Sequence, residues 1–244
     1  MPLAYLGRVI ARYLSGPSRV PYASTPSNFD AFRDVVRPGD VVLVDGRQRV
    51  STAIKYLTQS TWSHAALCVD ADFPRGAGAF VEADALEGVR LVKIRNFEGL
   101  HVRICRPVGI DSTAIGAVCR YAMRRIGHEY DLRNVIDLAR YLLPIPPVPA
   151  GWRRRMIALG SGEPTKAICS SLIAEAFEEI RYPILPRVTQ VMRDDPDCAG
   201  CIEEIFHIRH HSLFTPRDFD VSPYFQIIKA GLDERFNPAT LRWE

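Results

Sequence analysis

A thiol, an imidazole and a carboxylate, far apart in a chain of 244 residues, are the groups whose types could together carry out acyl transfer. Cys169 stands in TKAICSSLIAEAFEEI, at the expected first turn of a helix. There, unpaired backbone N–H groups and the positive end of the helix dipole lower a thiol's pKa. The same N–H groups, its own included, could hold the oxyanion formed when sulfur attacks a carbonyl carbon. Such a nucleophile needs a base, and His64 is the best candidate, since it opens the expected strand SHAALCVD at a sheet edge. Glu82, in AFVEAD on the next strand, is equidistant with His64 from Phe73. A hairpin centred there would set the two residues opposite each other on one face, where the carboxylate could fix the imidazole tautomer.

Each of these residues also has a plainer reading. Cys169 begins the apolar helical stripe Cys169, Leu172, Ile173, Ala176, Phe177 and Ile180, so it is also a core residue. A lone strand histidine is usually structural, and a carboxylate at a sheet rim is usually solvated. Cys68, Cys105 and Cys119 lie inside apolar strand or helix patterns, where burial explains them. His101 and His128 have no partner at helical or strand spacing, and Glu178-Glu179 is expected on the solvated face of its helix.

A second cluster, Cys198, Cys201, His207, His210 and His211 in CAGCIEEIFHIRHH, has the ligand types zinc prefers. Five residues between Cys201 and His207 are too few for the turn and helix of a Cys2His2 finger. A different closed site, a surface disulfide or free thiols are the alternatives, and no metal or cofactor is expected. No Walker-type phosphate loop is present.

The elements that must position the first three residues are a sheet and a helical half. RPGDVVLVDG delivers a strand at Val41 to Val44, and RVSTAIKYLTQST reads as a short helix starting from a Ser/Thr cap. SHAALCVD, AFVEAD, GVRLVKIR and LHVRICRP read as an antiparallel meander. DSTAIGAVCRYAMRRIG is a helix with Asp111 as N-cap, Gly127 as stop, and a stripe at Ile115, Val118, Ala122 and Ile126. DLRNVIDLARYLL is a further helix, closed by PIPPVPAG, whose prolines hold an extended connection that with Trp152 forms either a cleft wall or a stiff surface loop. A final strand is expected at Phe225 to Lys229.

With 47% hydrophobic and 24% charged residues the chain can bury a sizeable core. A net charge of +3, without an aromatic-interleaved basic stripe, argues against nucleic acid as a partner. The N-terminal LAYLGRVIARYL is interrupted by Arg8 and Arg12 and has no cleavage-site pattern, so it is expected to be an amphipathic helix and not a signal peptide. It would pack on the domain, with weak membrane-surface contact as the second reading. The expected location is therefore cytoplasmic or peripheral at a membrane, with six cysteines kept reduced. The domain organisation is an N-terminal helix and Pro/Ser-rich connector over 1–28 and one α+β domain over 29–244.

The GDVVLVDG strand, TWSHAALCVD with its histidine, FVEA with its glutamate and the ICSSLIAEAF helix with its cysteine, in that order, resemble the circularly permuted papain-fold cysteine enzymes of the YaeF/YiiX type, which are related to NlpC-type cell-wall amidases. TPRDFDVSPYFQIIK looks like that family's C-terminal segment, so the resemblance spans about 38–229. It implies a permuted papain-like fold, with the nucleophile at Cys169, the base at His64 and the orienting residue at Glu82. Tyr130 in GHEYDL resembles a family tyrosine that could line the cleft, although a helix-entry cap explains it equally well. The implied activity is amide hydrolysis by a cysteine amidase or peptidase, on a peptide, cell-wall fragment or acyl amide. The alternatives are a lipid acyltransferase or esterase on the same fold, or a lipid- or metal-binding protein without catalysis.

Overall fold

The computed structural model describes residues 13, 16–18, 24–70, 78–84, 87–128, 168–192, 202–207 and 209–230, without the side chains of residues 53, 57, 168, 169, 191, 192, 202, 203 and 212. Most of the expected N-terminal helix, the DLRNVIDLARYLL helix with its proline-rich connection, Tyr130, Cys198 and Cys201 lie outside the described residues.

The centre of the molecule is an antiparallel sheet on which helices lie, so the fold is α+β. Strand β1 (Val41–Asp45) is buried along its whole length, which suits a run of β-branched and apolar residues covered on both faces. β2 (His64–Asp70), β3 (Ala79–Asp84) and β4 (Gly88–Lys93) follow it outward in sequence. β5 (His101–Pro107) breaks the expected meander. It pairs with β1, not β4, and the order becomes β4-β3-β2-β1-β5-β8, with β8 at Phe225–Ile228. The cause is a 3-10 turn at Ile94–Phe97, whose Ile94 and Phe97 are buried. Phe97 packs edge-on against Phe80 and Phe32, at 4.8 and 5.9 Å between centroids, and this carries the chain across the sheet to its other side.

Alternation divides the sheet into two cores. Even-numbered Val42, Val44, Ala66, Cys68 and Phe80 pack with Phe32 of α1 (Phe29–Val35), a short helix capped by the Asn28 side chain. Odd-numbered Val41, Leu43, Ala65, Leu67 and Val81 pack under two longer helices, α3 (Ser112–Arg124) and α4 (Ile168–Glu178). Those helices contribute Val118, Ala122, Leu172, Ile173, Ala176 and Phe177, and each large side chain so buried stabilises the fold by about 1.5–3 kcal/mol. Gly39 lets α3 approach, since its φ is +87° and a Cβ there would collide with Ile115.

Two helix details differ from the sequence reading. Helix α2 (Arg49–Thr58) starts two residues before Ser51, from Gln48, which makes no side-chain cap bond. Ser51 is buried instead of capping. In α3 the Asp111 carboxylate accepts the Ala114 N–H at 2.7 Å as expected, but the buried stripe ends at Ala122 and Ile126 is exposed. The C-terminal part comprises a two-stranded ribbon of β6 (Arg187–Met192) and β7 (Ile202–His207), a 3-10 turn at His211–Leu213, and α5 (Pro216–Val221) with a Thr215/Asp218 capping box.

Candidate functional site

His64 is the first residue of β2, and its backbone is braced from both sides. The Ser63 N–H donates to Val44 O at 3.0 Å, and the Ser63 hydroxyl accepts the Gly46 N–H at 2.9 Å. A Cβ at Gly46 would collide with the hydroxyls of Ser51 and Ser63, so glycine is what lets the β1 end and this turn close together. Buried Trp62 donates its indole N–H to Asp220 at 3.0 Å, and Arg103 donates to the other oxygen of the same carboxylate at 2.6 Å. His101, expected to have no partner, stacks on Trp62 at 5.3 Å between centroids.

The β2–β3 ladder sets Ala66, not His64, opposite Glu82, and its register shifts between Cys68 and Asp70. The expected pairing about Phe73 is therefore off by two positions. An offset of two keeps both side chains on one face, and a diagonal neighbour is still within reach of an imidazole and a glutamate. Nε2 of His64 lies 2.8 Å from Oε2 of Glu82.

Arg90, which the sequence reading missed, stands directly opposite Glu82 on β4. Its Nε and Nη2 both donate to Glu82 Oε1, at 2.9 and 2.7 Å. Burial pushes the Glu82 carboxyl up, but the hydrogen bonds and charges of His64 and then Arg90 outweigh it and hold the carboxyl at about 2. An ionised carboxylate only accepts hydrogen bonds, so the imidazole nitrogen facing it carries the proton. Arg90 was findable: only Ala85, Leu86 and Glu87 separate the paired Asp84 and Gly88, a spacing that fixes which residue faces Glu82.

Cys169 is the second residue of α4, and its side chain lies outside the described residues. Helix α4 packs on β2 and β3, the strands that carry His64 and Glu82. It packs on the odd-numbered face, whereas alternation assigns His64 and Glu82 to the even-numbered one. A first-turn thiol of α4 can thus meet His64 only past the end of the sheet, where β2 begins.

The other residues singled out by the sequence separate from this site. Cys68, Cys105 and Cys119 are free and buried, and burial pushes all three thiols up. His207 is 2.8 Å from the Thr189 hydroxyl across the β6–β7 ribbon, while His211 lies between Glu175 and Glu178 of α4 at 3.2 and 3.4 Å. Glu178 is consequently half-buried, with Oε2 3.4 Å from Nδ1 of His211, and not solvated as expected, because the 3-10 turn folds back on that helix face. Among the described residues no group of three or more His, Cys, Asp or Glu is arranged to hold a metal ion. Among them, no helix is long and apolar enough to cross a membrane.

No family model matches the chain, and no curated protein matches it. Among solved structures it is similar to the crystal structure of the metalloprotein yiiX from Escherichia coli O157:H7, DUF1105, with 13% identity and a TM-score of 0.47. The match covers 79% of this chain and 96% of that one. Similarity at that level bears on neither metal content nor activity.

Proposed function

We propose that the protein is a cysteine hydrolase of the amidase or peptidase type, with Cys169 as nucleophile, His64 as base and Glu82 as the residue that orients the base. The observation that carries this reading is the 2.8 Å contact between His64 and an ionised Glu82 at the start of β2; the Cys169 helix packs on the other face of the same sheet, so the thiol reaches this pair past the sheet's end. With Nε2 donating to Glu82, proton transfer by His64 runs through Nδ1. The order His64, Glu82, Cys169 is that of a permuted papain-like domain, and this resemblance supplies the substrate class, an amide of a peptide, a cell-wall fragment or an acyl chain.

In the first half-reaction the Cys169 proton passes to His64 and the sulfur forms a bond to the substrate carbonyl carbon. The first N–H groups of α4 hold the oxyanion. Collapse breaks the C–N bond as His64 returns the proton to the leaving amine, which departs from a thioester. In the second half-reaction water gives its proton to His64 and attacks the thioester, the C–S bond breaks, and the thiol is restored with a free carboxylic acid released. Glu82 stabilises the imidazolium present in each half.

Competitive alkylation by iodoacetamide at neutral pH tests the reading. Cys169 is expected to react well ahead of Cys68, Cys105 and Cys119, whose burial suppresses their thiolates. An acyl activity probe is expected to label the parent and not Cys169→Ala. Equal alkylation rates, or labelling that survives the substitution, would remove the nucleophile from the scheme.

A further inference from the structure

We infer that Arg90 is a positioning residue for His64 that acts through Glu82, a role that rests on the hydrolase reading above. A glutamate side chain alone turns about its last torsion and offers either oxygen to a neighbour. Here Oε1 takes two hydrogen bonds from the planar Arg90 fork, at 2.9 and 2.7 Å, and Oε2 meets the imidazole at 2.8 Å. Two donors on Oε1 pin that oxygen and leave Oε2 to the imidazole, a division that a single freely rotating ammonium would enforce less firmly.

Arg90 is itself fixed. Its backbone is paired with that of Glu82 across the β3–β4 ladder and its Nη2 lies 3.7 Å from Asp84, whereas its Nη1 contact with the exposed Glu87 is a solvent-screened pair that adds little to its placement. The imidazole is thus aligned by a relay running from β4 to β3 to β2. The charged groups facing this relay are Glu82 from β3 and Arg90, Glu87 and Asp84 around the hairpin, joined in the proposed reaction by the Cys169 thiolate from α4. The guanidinium makes Glu82 a poor proton acceptor, so the imidazolium keeps its Nε2 proton and delivers the one on Nδ1. Glu87 supplies an internal control, because it bonds Arg90 at the hairpin without touching Glu82.

The test is solvent exchange of the His64 Nε2 proton, read by NMR at neutral pH and assigned by its loss in His64→Gln. In the parent it is expected to be protected. In Arg90→Gln exchange should accelerate at least about tenfold and Cys169 alkylation should slow by about the same factor, as expected for a misplaced base. Arg90→Lys, which keeps the charge and loses the fork, should fall between them, and Glu87→Gln should match the parent. Parent-like exchange or parent-like alkylation in Arg90→Gln overturns the role, as does an equal effect of Glu87→Gln. Should Arg90→Gln fail to fold, Arg90→Lys decides by the same readings. Absence of preferential Cys169 alkylation in the parent overturns the hydrolase reading instead, and leaves the exchange comparison to decide whether Arg90 aligns His64.

Discussion

His64 and His211 both lie within ion-pair distance of glutamates, but they are built for different ends. His64 faces the Glu82 carboxylate, which is buried and held by the Arg90 fork. His211 faces two, with Glu175 on Nε2 and Glu178 on Nδ1, at longer distances and with all three side chains about a quarter exposed. Partly exposed carboxylates at longer distances hold an imidazole weakly, whereas a buried carboxylate gripped by a guanidinium keeps the ring it faces in one place. The first arrangement is a tether between the 3-10 turn and α4. The second suits a group that must gain and lose a proton repeatedly. A histidine beside a glutamate is therefore not yet a catalytic pair, and what holds the carboxylate is what separates them.

The largest effect expected from this contrast is on the thiol. His64→Ala should slow Cys169 alkylation by about a hundredfold or more, within the range general-base removal produces, while His211→Ala should leave it within about twofold. Comparable losses in the two variants would erase the distinction. Next in size, Glu82→Gln should reduce hydrolysis of a responsive amide substrate by about tenfold, with Glu178→Gln near the parent in the same assay.

Acid titration sharpens the contrast through stability. The Glu82 carboxyl is held at about 2 against an ordinary 4.5, so its stabilisation is complete above about pH 4.5 and is lost as pH falls towards 2. Denaturant unfolding of Glu82→Gln should show a shallower loss of stability over that interval than the parent does. An unchanged slope would mean the carboxyl is not held down. The smallest effect belongs to the tether: partly exposed ion pairs are worth about 1 kcal/mol or less, so His211→Gln should lower the melting temperature by only about 2–4 °C.

Much of the sheet was legible because its strands announce themselves locally. VVLVD, HAALCVD and AFVEAD carry period-two or fully apolar patterns, and Asp111 caps the start of α3 as its chemistry dictates, although the helix ends at Arg124, before the expected stop at Gly127. What failed was non-local. The placement of β5 depends on Ile94 and Phe97 docking against Phe80 and Phe32, a tertiary packing event with no signature in LHVRICRP itself. The β2–β3 register was misjudged because the intervening loop is long and the ladder shifts after Cys68, neither of which the hydrophobic pattern reports. The face of the pair survived that error only because the slip was even. Arg90 was legible in principle from the short β3–β4 connection, but a strand arginine at a sheet margin reads first as a solvated side chain. The Glu178 contact was hidden for the same reason, since only the return of His211 buries it.

The indole of Trp62 and the carboxylate of Asp220 meet across 158 positions of the chain, and β8 joins β5 from still further along. Synthesis proceeds from the N-terminus, so the turn that presents His64 lacks this brace until the α5 and β8 residues have left the ribosome. Contacts of such sequence separation form late, after the local hairpins. The hairpin holding His64, Glu82 and Arg90 can thus pair early, while the wall beside it is completed only after Asp220 has been made. In a nascent chain stalled before Pro216, the indole N–H of Trp62 would lack its Asp220 partner, a change its fluorescence could follow during synthesis.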